Sequence, residues 1–152
     1  MKVLEFLDES CIFLDLKSSS KKETIEELCN ILLQNSKIKD LLPVVNSLMD
    51  REKLGSTGIG QGVAIPHGKS DSTSALVGVL GISKRGIQFE SLDGEPVNVV
   101  FMLVSPPDSN GQHLKALARI SRLLKDKFFR QALREAKTAQ EIRNIIKEED
   151  EY

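Results

Sequence analysis

A chain of 152 residues with 21 Lys and Arg against 22 Asp and Glu carries a formal charge of −1, which leaves no long-range pull toward nucleic acid or an anionic bilayer. At 40% hydrophobic and 28% charged residues, its makeup is that of a soluble globular domain and excludes the disordered, collagenous and membrane-embedded classes. The length suits a single domain over 1–152, enough to bury one sizeable core.

The opening stretch MKVLEFLDESCIFLDL is broken by Glu5, Asp8 and Glu9. It supplies neither a signal-peptide core nor a membrane span, so a cytoplasmic protein without membrane insertion is expected. Cys11 and Cys29 lie far apart with no Cys-x-x-Cys spacing and read as small core residues, not as a disulfide, a zinc site or a redox pair.

SSSKKETIEELCNILLQN places Ser20 and Glu23 in capping-box register and then Ile25, Leu28, Cys29, Leu32 and Leu33 at helical spacing, which predicts a helix with one buried face. LLPVVNSLMDREKLG repeats the pattern through Val44, Val45, Leu48 and Met49, with Pro43 in the first turn and Gly55 at the end. Arg51 falls in its last turn. GVAIP, ALVGVLGI and VNVVFMLV are short Val- and Ile-rich runs bounded by turn residues and predict buried strands. ISKRGIQFESLDGEPV between them reads as a strand edge and turns.

After Pro106 and Pro107, HLKALARISRLLKD, KFFRQALREA and TAQEIRNIIKEE predict three helices, the last capped by Thr138 with Glu141 three positions on. The acidic tail 147–152 is expected to fray. Arg119, Arg122, Lys125, Lys127, Arg130 and Arg134 read as a solvated basic face without the aromatic platform that stacks bases. Helices, then strands, then helices imply an α/β fold of mixed α+β type: one domain whose mixed β-sheet is flanked by helices on both faces.

The chemistry concentrates in residues 51–70, around GSTGIGQGVAIPHGKS. GVAIPHGKS approaches the phosphate loop Gly-x-x-x-x-Gly-Lys-Ser/Thr but has five residues between Gly62 and Gly68, and Pro66 removes an N–H from the would-be cradle. Val63 likewise stands where a dinucleotide fingerprint has its third glycine. A nucleotide-binding enzyme is therefore the weaker reading. The stronger one makes His67 the reacting group. Pro66 keeps the incoming chain extended and presents His67 at a strand end, between glycines that leave room for an anion.

A neutral imidazole has a lone pair on one nitrogen while its other N–H can be held by an acceptor, which suits a phosphoryl-accepting nucleophile. His67 and His113 are the only histidines; His113, near a helix start, is a candidate pocket partner or a solvated first-turn residue. Arg51 is a candidate to grip phosphate oxygens, with a surface ion pair to Asp50 or Glu52 as the alternative. Ser56, Thr57 and Gly68 are candidate phosphate-binding residues, although the two hydroxyls equally suit turn shaping. Lys69 either assists electrostatically or faces water. No metal-ligand cluster accompanies His67.

DREKLGSTGIGQGVAIPHGKSD closely resembles the active-site segment of the mannitol/fructose-type IIA domains of the bacterial phosphotransferase system. SSSKKETIEELCNIL, FESLDGEPVNVVFMLVSP and HLKALARISRLLKDK extend the likeness over nearly the whole chain, and the run looks most like the stand-alone nitrogen-regulatory IIA branch. The resemblance implies a helix-covered mixed sheet and a phosphotransferase component without metal or organic cofactor. It implies that His67 accepts a phosphoryl group from a histidine-containing phosphocarrier protein, on Nε2, with Arg51 and His113 lining the pocket. The acceptor is then a IIB domain or a regulatory target. The implied roles are a nitrogen or metabolic regulatory one, a sugar-specific one, or a phosphorylation-switched binding module without onward transfer. Gln61 stands where Asn or an acidic residue is expected.

Overall fold

The computed structural model describes residues 1–151. The N-terminal segment, which periodicity did not resolve, forms two 3₁₀ turns, Val3–Glu5 and Glu9–Cys11, and a two-residue strand β1 (Ile12–Phe13). Helix α1 (Lys21–Gln34) starts at Ser20, whose hydroxyl accepts the Glu23 N–H, and it buries Ile25, Leu28, Cys29 and Leu32 completely. Each such aliphatic side chain contributes about 1.5–3 kcal/mol of burial free energy. Helix α2 (Leu41–Lys53) buries Val44, Val45 and Leu48 on one side. Both cysteines are buried and free.

Five further strands complete a mixed sheet: β2 (Gly58–Gly60), β3 (Val63–Ala64), β4 (His67–Lys69), β5 (Val77–Ile87) and β6 (Val97–Ser105). The order is β1-β5-β6-β3-β2, with β4 also pairing β6. β6 lies at the centre and is apolar on both faces, as a strand flanked on both sides must be. Helices α3 (Asn110–Leu124), α4 (Lys127–Glu135) and α5 (Ala139–Glu149) pack around Leu80 and Phe101 of the central strands through Ile120, Leu123, Phe129, Leu133 and Ile146.

The expectation of one strand ending before His67 needs correction. β3 and β4 lie in the same parallel register on β6, Val63 opposite Val99 and His67 opposite Leu103. Ile65 and Pro66 interrupt them because proline donates nothing to a ladder. The Pro66 carbonyl still accepts the Leu103 N–H at 2.9 Å, and pairing resumes at His67. Within β4, alternate residues face opposite sides: His67 faces α3, and Gly68 faces α2.

The glycine-rich stretch is a β-hairpin. Gly60 pairs with Val63, and the two residues between, Gln61 and Gly62, have φ of +59° and +79°, the signature of a type I′ turn. That explains the expectation of Asn at 61, since Asn-Gly is the dipeptide that tolerates this geometry best. The exposed Gln61 uses only its backbone here, donating its N–H to Asp93 Oδ2 at 3.0 Å. Gln61→Asn is expected to stabilise the protein by about 0.5–1 kcal/mol, read as a rise in the denaturation midpoint at unchanged m-value.

The acidic end does not fray through residue 150. α5 continues to Glu149, and Asp150, 3% exposed, receives Arg119 Nε at 2.5 Å and the Val3 N–H at 2.6 Å. Tyr152 lies outside the described residues. The basic series is not uniformly solvated either: Arg119 is spent on Asp150, and the buried Arg130 donates to the Leu124 and Lys125 carbonyls that end α3.

Candidate functional site

The start of β4, the last turn of α2 and the first turn of α3 converge on His67. Its ring is half-buried, and its Nδ1 lies 2.8 Å from the Ile65 carbonyl oxygen. A carbonyl only accepts, so Nδ1 carries the proton in this bond and the lone pair of the neutral ring sits on Nε2. The acceptor is local: the His67 side chain reaches back two residues along its own chain to the Ile65 carbonyl. Burial pushes the His67 pKa below its ordinary value; the Ile65 carbonyl opposes this, the Arg51 guanidinium adds to it and Glu52 opposes it. The ring is therefore neutral at physiological pH.

His113 is not a solvated first-turn residue. It is 5% exposed, and its ring centroid lies 5.5 Å from that of His67 at an angle of 57°. Its Nδ1 is 2.5 Å from Ser105 Oγ. Burial, with the neighbouring His67 and Lys69, pushes its pKa down to about 4. Between pH 6.5 and about 4 the unfolded chain binds a proton at this ring that the folded chain refuses, so stability present above pH 6.5 is lost as pH falls through that window. Wild type is expected to lose up to about 3 kcal/mol relative to His113→Gln across it, measured by denaturant unfolding at each pH.

Arg51 lies in the last turn of α2, and its Nη1 donates to the Gly55 carbonyl at 2.8 Å. Among the described residues it makes no ion pair. Asp50 pairs instead with Lys53, and Glu52 turns inward to Lys21. Its other guanidinium donors have no partner among the described residues, and its charge reaches His67, whose pKa it lowers.

The expected phosphate-binding roles of Ser56, Thr57 and Gly68 meet a different geometry. Ser56 Oγ donates to the Phe89 carbonyl at 2.9 Å and accepts the Gly58 N–H at 3.1 Å. Thr57 is buried, with its hydroxyl and its N–H both given to the Glu52 carboxylate. Both hydroxyls shape the loop. At Gly68 a Cβ would sit 2.7 Å from Ser47 Oγ, so glycine there permits the close approach of α2. Lys69 is exposed, with its charge felt at His113.

Two features escaped the sequence pattern. Lys21 Nζ lies 3.2 Å from Glu52 Oε1 and stacks 5.4 Å above the buried Phe89 ring, joining the start of α1, the end of α2 and the glycine hairpin in one buried network. Ser105, the last residue of β6, holds His113. A polar residue ending the apolar run 99–104 of β6, just before Pro-Pro, was its only local signal. Among the described residues no group of three or more His, Cys, Asp or Glu is arranged to hold a metal, and no helix is long and apolar enough to cross a membrane.

Residues 5–149 match the family described as phosphoenolpyruvate-dependent sugar phosphotransferase system, EIIA 2. The chain is 39% identical over 150 residues to a nitrogen regulatory protein of Bradyrhizobium diazoefficiens, covering 96% of this chain and 95% of that one. It is 38% identical over 150 residues to the fructose-specific EIIABC component of Bacillus subtilis, covering 99% of this chain but only 24% of that protein. The crystal structure of nitrogen regulatory protein IIA-Ntr from Neisseria meningitidis superposes with a TM-score of 0.86 at 37% identity, over 93% of this chain and 97% of that one. Sequence and fold thus agree along the whole length of the sheet and its helices, and the chain belongs to the EIIA type 2 family of the phosphoenolpyruvate-dependent phosphotransferase system, as a phosphoryl-transfer component of it.

Proposed function

We propose that the protein is a phosphohistidine carrier in which His67 Nε2 takes the phosphoryl group from a histidine-containing phosphocarrier protein. The observation that carries this reading is an Nδ1–H held by the Ile65 carbonyl on a half-buried ring, which leaves the Nε2 lone pair without a partner among the described residues. In the transfer the donor's P–N bond breaks, its electron pair stays on the donor imidazole, and the Nε2 lone pair forms the new P–N bond. Neither His67 proton nor backbone has to move. The group arrives as a dianion, and charge stabilisation is the main contribution a protein makes to such a transfer. Arg51 supplies a fixed cation and the His113 ring supplies a polar wall.

A regulatory role in nitrogen or central metabolism follows for the same site, supported by the likeness to nitrogen regulatory proteins. Adding about two negative charges at one half-exposed position is enough to reverse a docking contact. Onward transfer to a IIB domain is a second reading, supported by the 38% identity to a fructose-specific EIIABC component. Incubation with phosphoenolpyruvate and the general phosphotransfer proteins is expected to give one acid-labile phosphate per chain; absence of label contradicts the carrier reading. Chasing that label with a fructose-type IIB domain separates the roles. Loss of label to IIB supports sugar transfer, and retention with a changed set of bound partners supports regulation.

A further inference from the structure

Ser105 is wholly buried, and its backbone is fixed by the parallel pairing of β4 with β6, where it stands opposite Lys69 and its carbonyl accepts the Ser70 N–H at 2.9 Å. Its side chain emerges on the face of the sheet that carries His67, and meets His113 Nδ1 at 2.5 Å. Hydroxyl and ring nitrogen can share this bond in two ways. If His113 donated through Nδ1–H, the Ser105 hydroxyl proton would need another acceptor; among the described residues Ser105 Oγ has no second partner. A buried hydroxyl left without an acceptor is costly, whereas donation from Ser105 to a bare Nδ1 satisfies both groups at once.

The direction of this bond decides what His113 offers to the pocket. With Nδ1 accepting from Ser105, the ring proton of neutral His113 must sit on Nε2, the one ring nitrogen left free for a ligand. The two histidines then have complementary tautomers. Ile65 puts the proton of His67 on Nδ1 and frees Nε2 as an electron-pair donor, while Ser105 puts the proton of His113 on Nε2 and makes it a hydrogen-bond donor. A neighbouring ring in the opposite tautomer would turn a lone pair toward an incoming phosphoryl oxygen and repel it.

We infer that Ser105 is a positioning residue that holds His113 in its Nε2–H tautomer, so that His113 meets a phosphoryl group on His67 as a donor. The last clause rests on the carrier reading; the tautomer does not. Ser105 itself neither gains nor loses a proton in the transfer, and acts only through His113.

Long-range nitrogen–proton spectra of protein with ¹⁵N-labelled histidine read the tautomer directly. Wild type is expected to show His113 with Nε2 protonated and Nδ1 bare. Ser105→Ala is expected to populate the other tautomer and to slow phosphorylation of His67 about tenfold, the scale of one lost hydrogen bond, while Ser105→Thr keeps both properties. An Nδ1–H signature for His113 in wild type, which needs no variant to fold, overturns the inference. So does a folded Ser105→Ala protein with unchanged tautomer and rate. Failure of wild type to take phosphate on His67 sinks the carrier reading instead, and is distinguished because the spectrum of the unphosphorylated ¹⁵N-histidine protein reports the tautomer alone.

Discussion

His67→Ala is expected to reduce acid-labile phosphate incorporation to background while leaving the fold intact. The substitution removes the only imidazole whose Nε2 is both unprotonated and open to a partner. His113 cannot take over, because its Nδ1 is committed to Ser105 and a nucleophile needs a free lone pair. The structural cost is small. His67 is only half-buried at the start of a three-residue strand, and the main loss is its bond to the Ile65 carbonyl, worth about 1 kcal/mol. Label counting by autoradiography, with a thermal melt alongside, checks both halves. Phosphate on His113 in this variant would contradict the assignment of roles.

Glu52→Ala is expected to be the most destabilising single change near the site, by about 3–5 kcal/mol. Glu52 is 6% exposed and answers Lys21 Nζ at 3.2 Å and the Thr57 N–H at 3.0 Å, and also accepts the Thr57 hydroxyl. Its removal leaves the two Thr57 donors without their acceptor and the buried Lys21 ammonium with only the exposed Glu90 carboxylate, 3.8 Å away. That is a large share of the roughly 5–15 kcal/mol that holds a typical domain folded. Because Thr57 leads straight into the glycine hairpin and Arg51 precedes Glu52 on the same turn, transfer is expected to slow as well. The double variant Lys21→Met with Glu52→Gln should recover much of the loss, since the amide oxygen still accepts from Thr57 and no charge is left unpaired. Urea unfolding of wild type and the two variants tests this, and a Glu52→Ala midpoint equal to wild type would contradict it.

Most of the fold was legible because its elements carry their own periodicity and stop signals. The capping box at Ser20 and Glu23, the stripe of α1 and the apolar run of β6 each act within one segment. Within the site, His67 stood out through the proline and glycines around it; the stretch DREKLG to PHGK brought Arg51 with it, and HLKALARISRLLKDK brought His113. What was not legible depends on partners distant in the chain. Glu52 reads as a surface ion-pair candidate for Arg51, and only packing α1 against α2 makes it the buried partner of Lys21. Asp150 reads as tail until Arg119 and the Val3 N–H close on it. Ser56 and Thr57 invite a phosphate role by type, but hydroxyls are consumed by whichever partner is nearest, here Phe89 and Glu52. β1 is too short to show alternation and exists only because Ile12 finds Leu80 on β5.

The same distinction governs the chemistry. Two imidazoles 5.5 Å apart could exchange roles, and what separates them is the Ile65 carbonyl on one ring and the buried Ser105 hydroxyl on the other. The most direct test is therefore the nitrogen to which phosphorus becomes bonded. In ¹⁵N-histidine protein phosphorylated by its carrier, phosphorus–nitrogen coupling is predicted at Nε2 of His67, with Nδ1 of the same ring still protonated. Coupling at Nδ1 of His67, or at any other residue, would contradict the account.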